Sequence, residues 1–192
     1  MIHRLQHHKL ILDLCSGSGA WSKPYLDAGY DVRRVTLPDN DVRTWQGYRG
    51  LSVHGILAAP PCQVFSNARN KNPPSEAQII DALSVVDACL RIIMTCHPVW
   101  WALENPVGKL RRWLGPPMFK FSPWHFGDPY FKNTLLWGCF TPPFDSQVVP
   151  VGHRRGQPCA WYSSAPGDSA SKSEFRAITP PGFARAFFKA NP

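Results

Sequence analysis

The chain has 192 residues, 44% of them hydrophobic, which is enough for one packed domain and too apolar for disorder throughout. No stretch approaches the roughly 20 apolar residues that cross a bilayer, and the segment before Lys9 has no apolar run of signal type. Lys and Arg number 21 against 13 Asp and Glu, a net charge of +8 that suggests phosphate-bearing partners. These features predict a soluble, cytoplasmic, single domain over residues 1–192. The six cysteines (Cys15, Cys62, Cys89, Cys96, Cys139, Cys159) form no CxxC pair, so neither a zinc knuckle nor a disulfide scaffold is expected. No metal site is expected.

The run Lys9–Cys15 reads as a buried strand, Ser16–Gly19 as a tight glycine turn, and Trp21–Ala28 as a short helix. Asp31–Leu37 and Gly55–Ala59 read as further strands, the latter stopped by Pro60 and Pro61. Ser75 and Gln78 have capping-box spacing. Ile79, Leu83, Val86, Leu90 and Ile93 then follow at helical spacing on one apolar face. Val99–Leu103 reads as a buried strand ending at Glu104-Asn105-Pro106, followed by a helix over Val107–Trp113. Asn133–Gly138 reads as a later strand and 181–188 as a C-terminal helix. Between them, 141–175 is rich in Pro, Gly and Ser, a loop composition. Alternating strand and helix predict an open α/β sheet.

Three segments carry chemistry. Glycines after the first strand, in Asp13-Leu14-Cys15-Ser16-Gly17-Ser18-Gly19, let the backbone approach a ligand at the carboxyl edge of a sheet. Pro60-Pro61-Cys62-Gln63 presents a thiol on a stiffened backbone, a context suited to a nucleophile. Glu104-Asn105 follows Trp100-Trp101-Ala102-Leu103, so the Glu104 carboxyl is partly desolvated and a candidate proton donor.

In this order the three segments resemble the DNA (cytosine-5) methyltransferases across nearly the whole chain. Asp13–Gly19 resembles their S-adenosylmethionine motif, Pro61-Cys62-Gln63 their nucleophile motif, and Glu104-Asn105 their glutamate motif, with Pro106 in place of the usual Val. The resemblance implies a Rossmann-like methyltransferase fold, a mostly parallel sheet with helices on both faces. It implies methylation of cytosine carbon 5 in DNA, with S-adenosylmethionine as cofactor. Cys62 would be the nucleophile at carbon 6, Glu104 the N3 proton donor and Asn105 the residue orienting it. Lys132 would stand where the family has a base-contacting Arg. Asp13, Cys15, Ser16, Gly17, Gly19, Asp41, Val42 and Pro60 would line the cofactor site.

Several positions depart from the family pattern. The acidic residue expected near Thr36 or Leu37 is absent, the helix before Asp41-Val42 is missing, and the second Arg of the Arg motif has become Thr134. The stretch 141–175 stands in place of a target-recognition domain. The alternatives are therefore the same chemistry on a free cytidine nucleotide, RNA or single-stranded DNA, or a non-catalytic methyltransferase-like binding module. A protein partner for targeting is a further expectation. Lys109, Arg111, Arg112 and His153-Arg154-Arg155 are candidate phosphate contacts, and Arg69-Asn70-Lys71 a candidate closing loop.

Overall fold

The computed structural model describes residues 9–47, 52–128, 131–144 and 177–192. Strands β1 (Leu10–Leu14), β2 (Asp31–Val35), β3 (Val53–Ala58), β4 (Trp100–Pro106), β5 (Phe119–Phe121) and β6 (Thr134–Cys139) form one sheet in the order β2-β1-β3-β4-β6-β5. The first four run parallel, and β6 is antiparallel to both its neighbours. Helices are α1 (Lys23–Asp27), α2 (Glu76–Cys96), α3 (Arg111–Leu114) and α4 (Pro181–Ala190), with 3-10 turns at Asn67–Asn70 and Pro123–Phe126.

The apolar runs read as strands are buried on both faces, as parallel strands must be when crossover helices cover the sheet. Alternation along each strand divides the core. Leu12, Leu14, Ile56, Ala58 and Leu103 pack with Val86, Cys89, Ile92 and Ile93 of α2. Ile11, Leu57, Trp100, Ala102 and Leu136 pack on the other face with Trp21, Tyr25, Phe183 and Phe187, from α1, its approach and α4. Helices on both faces of a mostly parallel sheet are the expected Rossmann-like arrangement. Gly55 makes room for this core, since a Cβ there would lie 2.1 Å from the Trp100 ring.

The α2 capping box forms as the spacing predicts, with Ser75 accepting from the Gln78 amide and Gln78 from the Ser75 amide. Of the predicted stripe, Val86 and Ile93 are buried while Ile79, Leu83 and Leu90 sit at its margin. Ala82, Cys89 and Ile92 complete the buried face. Most strand and helix ends shift by a residue or two from the sequence reading, and three differences have a clear cause or bear on the site. Strand β4 runs through Glu104-Asn105-Pro106 instead of ending before them, because β6 pairs residue by residue along it. The helix predicted over Val107–Trp113 shrinks to α3, because Gly108 bridges to Ser66 and holds that stretch extended. Helix α1 is likewise shorter than Trp21–Ala28. The short β5 had no sequence signal of its own. The predicted loop at 141–175 lies, beyond Phe144, outside the described residues, as does His153-Arg154-Arg155. Among the described residues no helix is long and apolar enough to cross a membrane.

Candidate active site

Leu14, Ala58 and Leu103 stand in register across β1, β3 and β4. The segments following these positions, which hold Cys15, Pro60-Pro61-Cys62 and Glu104, therefore leave the sheet at one level along its carboxyl edge. The chain passes from β1 outward to β2 and then returns to β3 on the other side of β1. That reversal opens a crevice where ligands of open α/β sheets bind.

The turn after β1 is shaped by left-handed backbone at alternate residues, with φ of 55° at Cys15, 50° at Gly17 and 74° at Gly19. Glycine adopts this conformation freely; Cys15 is the exception. The Cys15 amide bonds the Val35 carbonyl at 2.9 Å, tying the turn to β2. Its sulfur lies 4.0 Å from that of Cys89 in α2. This contact holds the Cys15 thiol below its usual range and, with burial, pushes Cys89 up.

Asp13 is 1% exposed and accepts from the Ser22 hydroxyl at 2.5 Å. Its other oxygen, Oδ1, is buried and has no partner among the described residues. Burial pushes the carboxyl up to about 7, against smaller opposing effects of Ser22 and Arg34. Arg34, in register with Asp13 on β2, lies across the turn. Its Nε donates to Ser16 Oγ at 2.9 Å and its Nη2 to the Gly17 carbonyl. Asp41 and Val42 arrive on the same side but are already engaged. Val42 is buried in the core. Asp41 pairs with Arg43 at 2.7 Å, and this bond holds its carboxyl below the usual range.

The Pro-Pro-Cys segment closes as a helical turn, the Cys62 carbonyl accepting from the amides of Phe65 and Ser66 at 3.1 and 3.0 Å. Cys62 is half-buried. Two contacts bind this turn to β4 and to the segment that follows it. Asn105 Nδ2 donates to the Pro60 carbonyl at 3.1 Å, and the Lys109 amide donates to the Phe65 carbonyl at 2.7 Å. Gly108 permits the second, since a Cβ there would lie 2.2 Å from the Phe65 oxygen. Asn105 is fully buried, its Oδ1 has no partner among the described residues, and its amide nitrogen is spent on the nucleophile turn.

Glu104 Oε1 lies 3.6 Å from Lys132 Nζ, the two side chains 15% and 14% exposed. Lys132 is set in place from both sides, its amide donating to Ser122 Oγ at 3.2 Å and its carbonyl accepting from Thr134 Oγ1 at 2.8 Å. Thr134 thus anchors the backbone beside Lys132. Antiparallel pairing of β6 with β4 is what brings residues 28 apart in sequence into one ion pair.

Strand order and strand-end placement together decide the architecture. The fold is Rossmann-like, of the methyltransferase type. No family model matches the chain, and no curated protein does. Solved structures similar to it include one described as a DNA modification methyltransferase encoded within an Escherichia coli prophage (18% identity, TM-score 0.47, covering 68% of this chain and 46% of that one). Another is the Entamoeba histolytica methyltransferase EhMeth (11%, TM-score 0.44, 85% and 61%). A third is a mutant form of Spodoptera frugiperda DNMT2 (15%, TM-score 0.43, 83% and 60%). The chain thus spans 46%, 61% and 60% of their lengths. At these identities and TM-scores the likeness adds nothing to what the strand order shows.

The described edge therefore brings Asp13, Cys15, Ser16, Gly17, Gly19, Pro60, Cys62, Glu104, Asn105 and Lys132 to adjoining strand ends. Sequence reasoning missed Arg34, Arg43, Ser22 and Gly108. Gly108, four residues past Glu104, is the one with a readable signal, a glycine where a helix was expected. A separate pocket of about 590 Å³ lies between α1 and α4, lined by Pro24, Ala184 and Phe188 among others, and includes none of the residues of this edge.

Proposed function

We propose that this chain methylates carbon 5 of cytosine in DNA, using S-adenosylmethionine and a transient bond from Cys62 to carbon 6. The observation that carries the reading is the convergence, at one sheet edge, of a half-buried thiol on a clamped turn and a shielded Glu–Lys pair. The residues of the glycine turn suit the cofactor: left-handed backbone at Gly17 and Gly19 leaves room for close approach, and the orphaned Asp13 Oδ1 awaits a donor. Cys15, Ser16, Gly17 and Gly19 would hold the cofactor with Asp13 and Pro60, and Asp41-Val42 would border it. When bound, the cofactor supplies an electrophilic methyl group.

The remaining chemistry falls to this chain's side chains. Carbon 5 of cytosine is a weak nucleophile. Addition of the Cys62 thiolate to carbon 6 makes carbon 5 enamine-like and able to take a methyl. Glu104 holds the proton at N3 that makes this addition favourable. Lys132 steadies Glu104 and contacts the base carbonyl as a point charge. Asn105 acts on the nucleophile turn through Pro60, a role different from the expected orientation of Glu104. Water then takes the carbon-5 proton, the electrons of that bond re-form the carbon 5–carbon 6 double bond and expel the Cys62 thiolate, and the N3 proton returns to Glu104. In duplex DNA the base must leave the stack for Cys62 to reach it. Lys109, Arg111 and Arg112, which follow Glu104 in the chain, would meet phosphates.

The test offers labelled S-adenosylmethionine with duplex DNA, single-stranded DNA, RNA and free dCMP, alongside Cys62→Ala. Label in duplex DNA that the variant abolishes, with a denaturation-resistant adduct on 5-fluorocytosine DNA, supports the reading. Label confined to dCMP or RNA moves the substrate. Cofactor binding with no label on any acceptor turns the chain into a binding module.

A further inference from the structure

We propose that Arg34 recognises the carboxylate at the amino-acid end of the bound cofactor, an inference that rests on the cofactor reading above. Arg34 comes from β2, the strand that lacks the acidic residue expected near Thr36 or Leu37. Its guanidinium lies directly over the glycine turn, 3.2 Å from where a Cβ on Gly19 would stand. Both of its bonds, to Ser16 Oγ and the Gly17 carbonyl, go to uncharged acceptors.

The charge balance around the turn points to an anion. Two arginines act electrostatically on its residues, Arg34 on Asp13 and Arg43 on Cys15. Arg43 is neutralised twice, by Asp41 at 2.7 Å and Asp81 at 2.9 Å. Arg34 makes no ion pair of that kind among the described residues. The carboxyl in register with it, Asp13, is buried and accepts from the Ser22 hydroxyl, so it is a weak counter-charge. An arginine left with neutral partners beside a ligand-binding turn is suited to a carboxylate, which it meets with a fork of donors. The cofactor carries one carboxylate, on its amino-acid end. Arg34 thus both shapes the turn and selects the ligand.

Calorimetric binding separates these roles. S-adenosylhomocysteine is compared with its decarboxylated analogue on the parent chain, Arg34→Met and Arg34→Lys, each checked by its melting curve. The parent is expected to prefer the carboxylated ligand by about ten- to a hundred-fold, the range of a charge-assisted bond. Arg34→Met should bring the two ligands within about twofold. Arg34→Lys, which keeps the charge but loses the fork, should weaken both yet keep the preference, and it serves if Arg34→Met does not fold. Equal weakening of both ligands by Arg34→Met, or no change, overturns carboxylate recognition while leaving the cofactor reading intact. Failure of the parent to bind S-adenosylhomocysteine at all refutes the cofactor reading and this inference with it.

Discussion

Gly108→Ala tests how tightly the nucleophile turn is fastened to the segment that follows β4. The added Cβ would fall 2.2 Å from the Phe65 carbonyl oxygen and 3.4 Å from the Ser66 Cα, both backbone atoms that cannot swing aside. Relieving the first contact requires the two segments to part by roughly 1 Å to reach van der Waals separation. That movement breaks the 2.7 Å bond from the Lys109 amide to Phe65 and the Ser66–Gly108 bridge. Overpacking costs about 1–3 kcal/mol and the lost backbone bond about 1 kcal/mol more. A stability loss of about 2–4 kcal/mol is expected in urea. Cys62 rides on the moving turn, and a displacement near 1 Å in a reacting group slows chemistry by about a hundredfold. The assay is the rate of denaturation-resistant adduct formation on 5-fluorocytosine DNA, measured where the variant is still folded. A variant with parental stability and adduct rate would refute the claim that this clasp positions Cys62.

Three further outcomes follow from the same geometry. The Asp13 carboxyl is raised from 3.8 to about 7, chiefly by burial, so between these values the folded chain holds a proton the unfolded chain has released. Its contribution is therefore greatest below about pH 4 and is lost as pH rises toward 7. Asp13→Asn should gain stability relative to the parent from pH 5 to pH 8, by at most about 3 kcal/mol; a difference flat across that range in chemical denaturation contradicts the burial argument. Lys132→Met leaves the shielded Glu104 without its cation, whereas the double variant with Glu104→Gln removes both charges. A double-mutant cycle should give a coupling of about 1–3 kcal/mol, and additivity would show that the 3.6 Å pair is not energetically joined. Asn105→Ala strands the Pro60 carbonyl and should cost about 1–3 kcal/mol in urea while slowing adduct formation. An unchanged adduct rate would remove Asn105 as the positioning residue for Cys62.

Local information was enough for the parts of this protein whose physics is local. The apolar runs at Leu10–Leu14 and Trp100–Leu103, the Ser75–Gln78 capping box and the glycine turn were all legible, because burial on both faces, a two-residue hydrogen-bond exchange and left-handed backbone each leave a mark within a few residues. The order of the three chemistry-bearing segments was legible too. What the sequence could not carry was pairing between distant strands. That Glu104 meets Lys132 depends on β6 running antiparallel beside β4, and the Lys132 position by itself suggested only a substitute for an arginine. The amide of Asn105 goes to Pro60 because β3 and β4 are neighbours in the sheet. The helix expected over Val107–Trp113 is lost to Ser66, whose approach outweighs local propensity. Arg34 carried no signal of its own in the sequence, and only the parallel register of β1 and β2 lays its guanidinium over the glycine turn. In each case the deciding energy belongs to a contact between segments far apart in the chain, and such contacts exist only once the sheet has assembled.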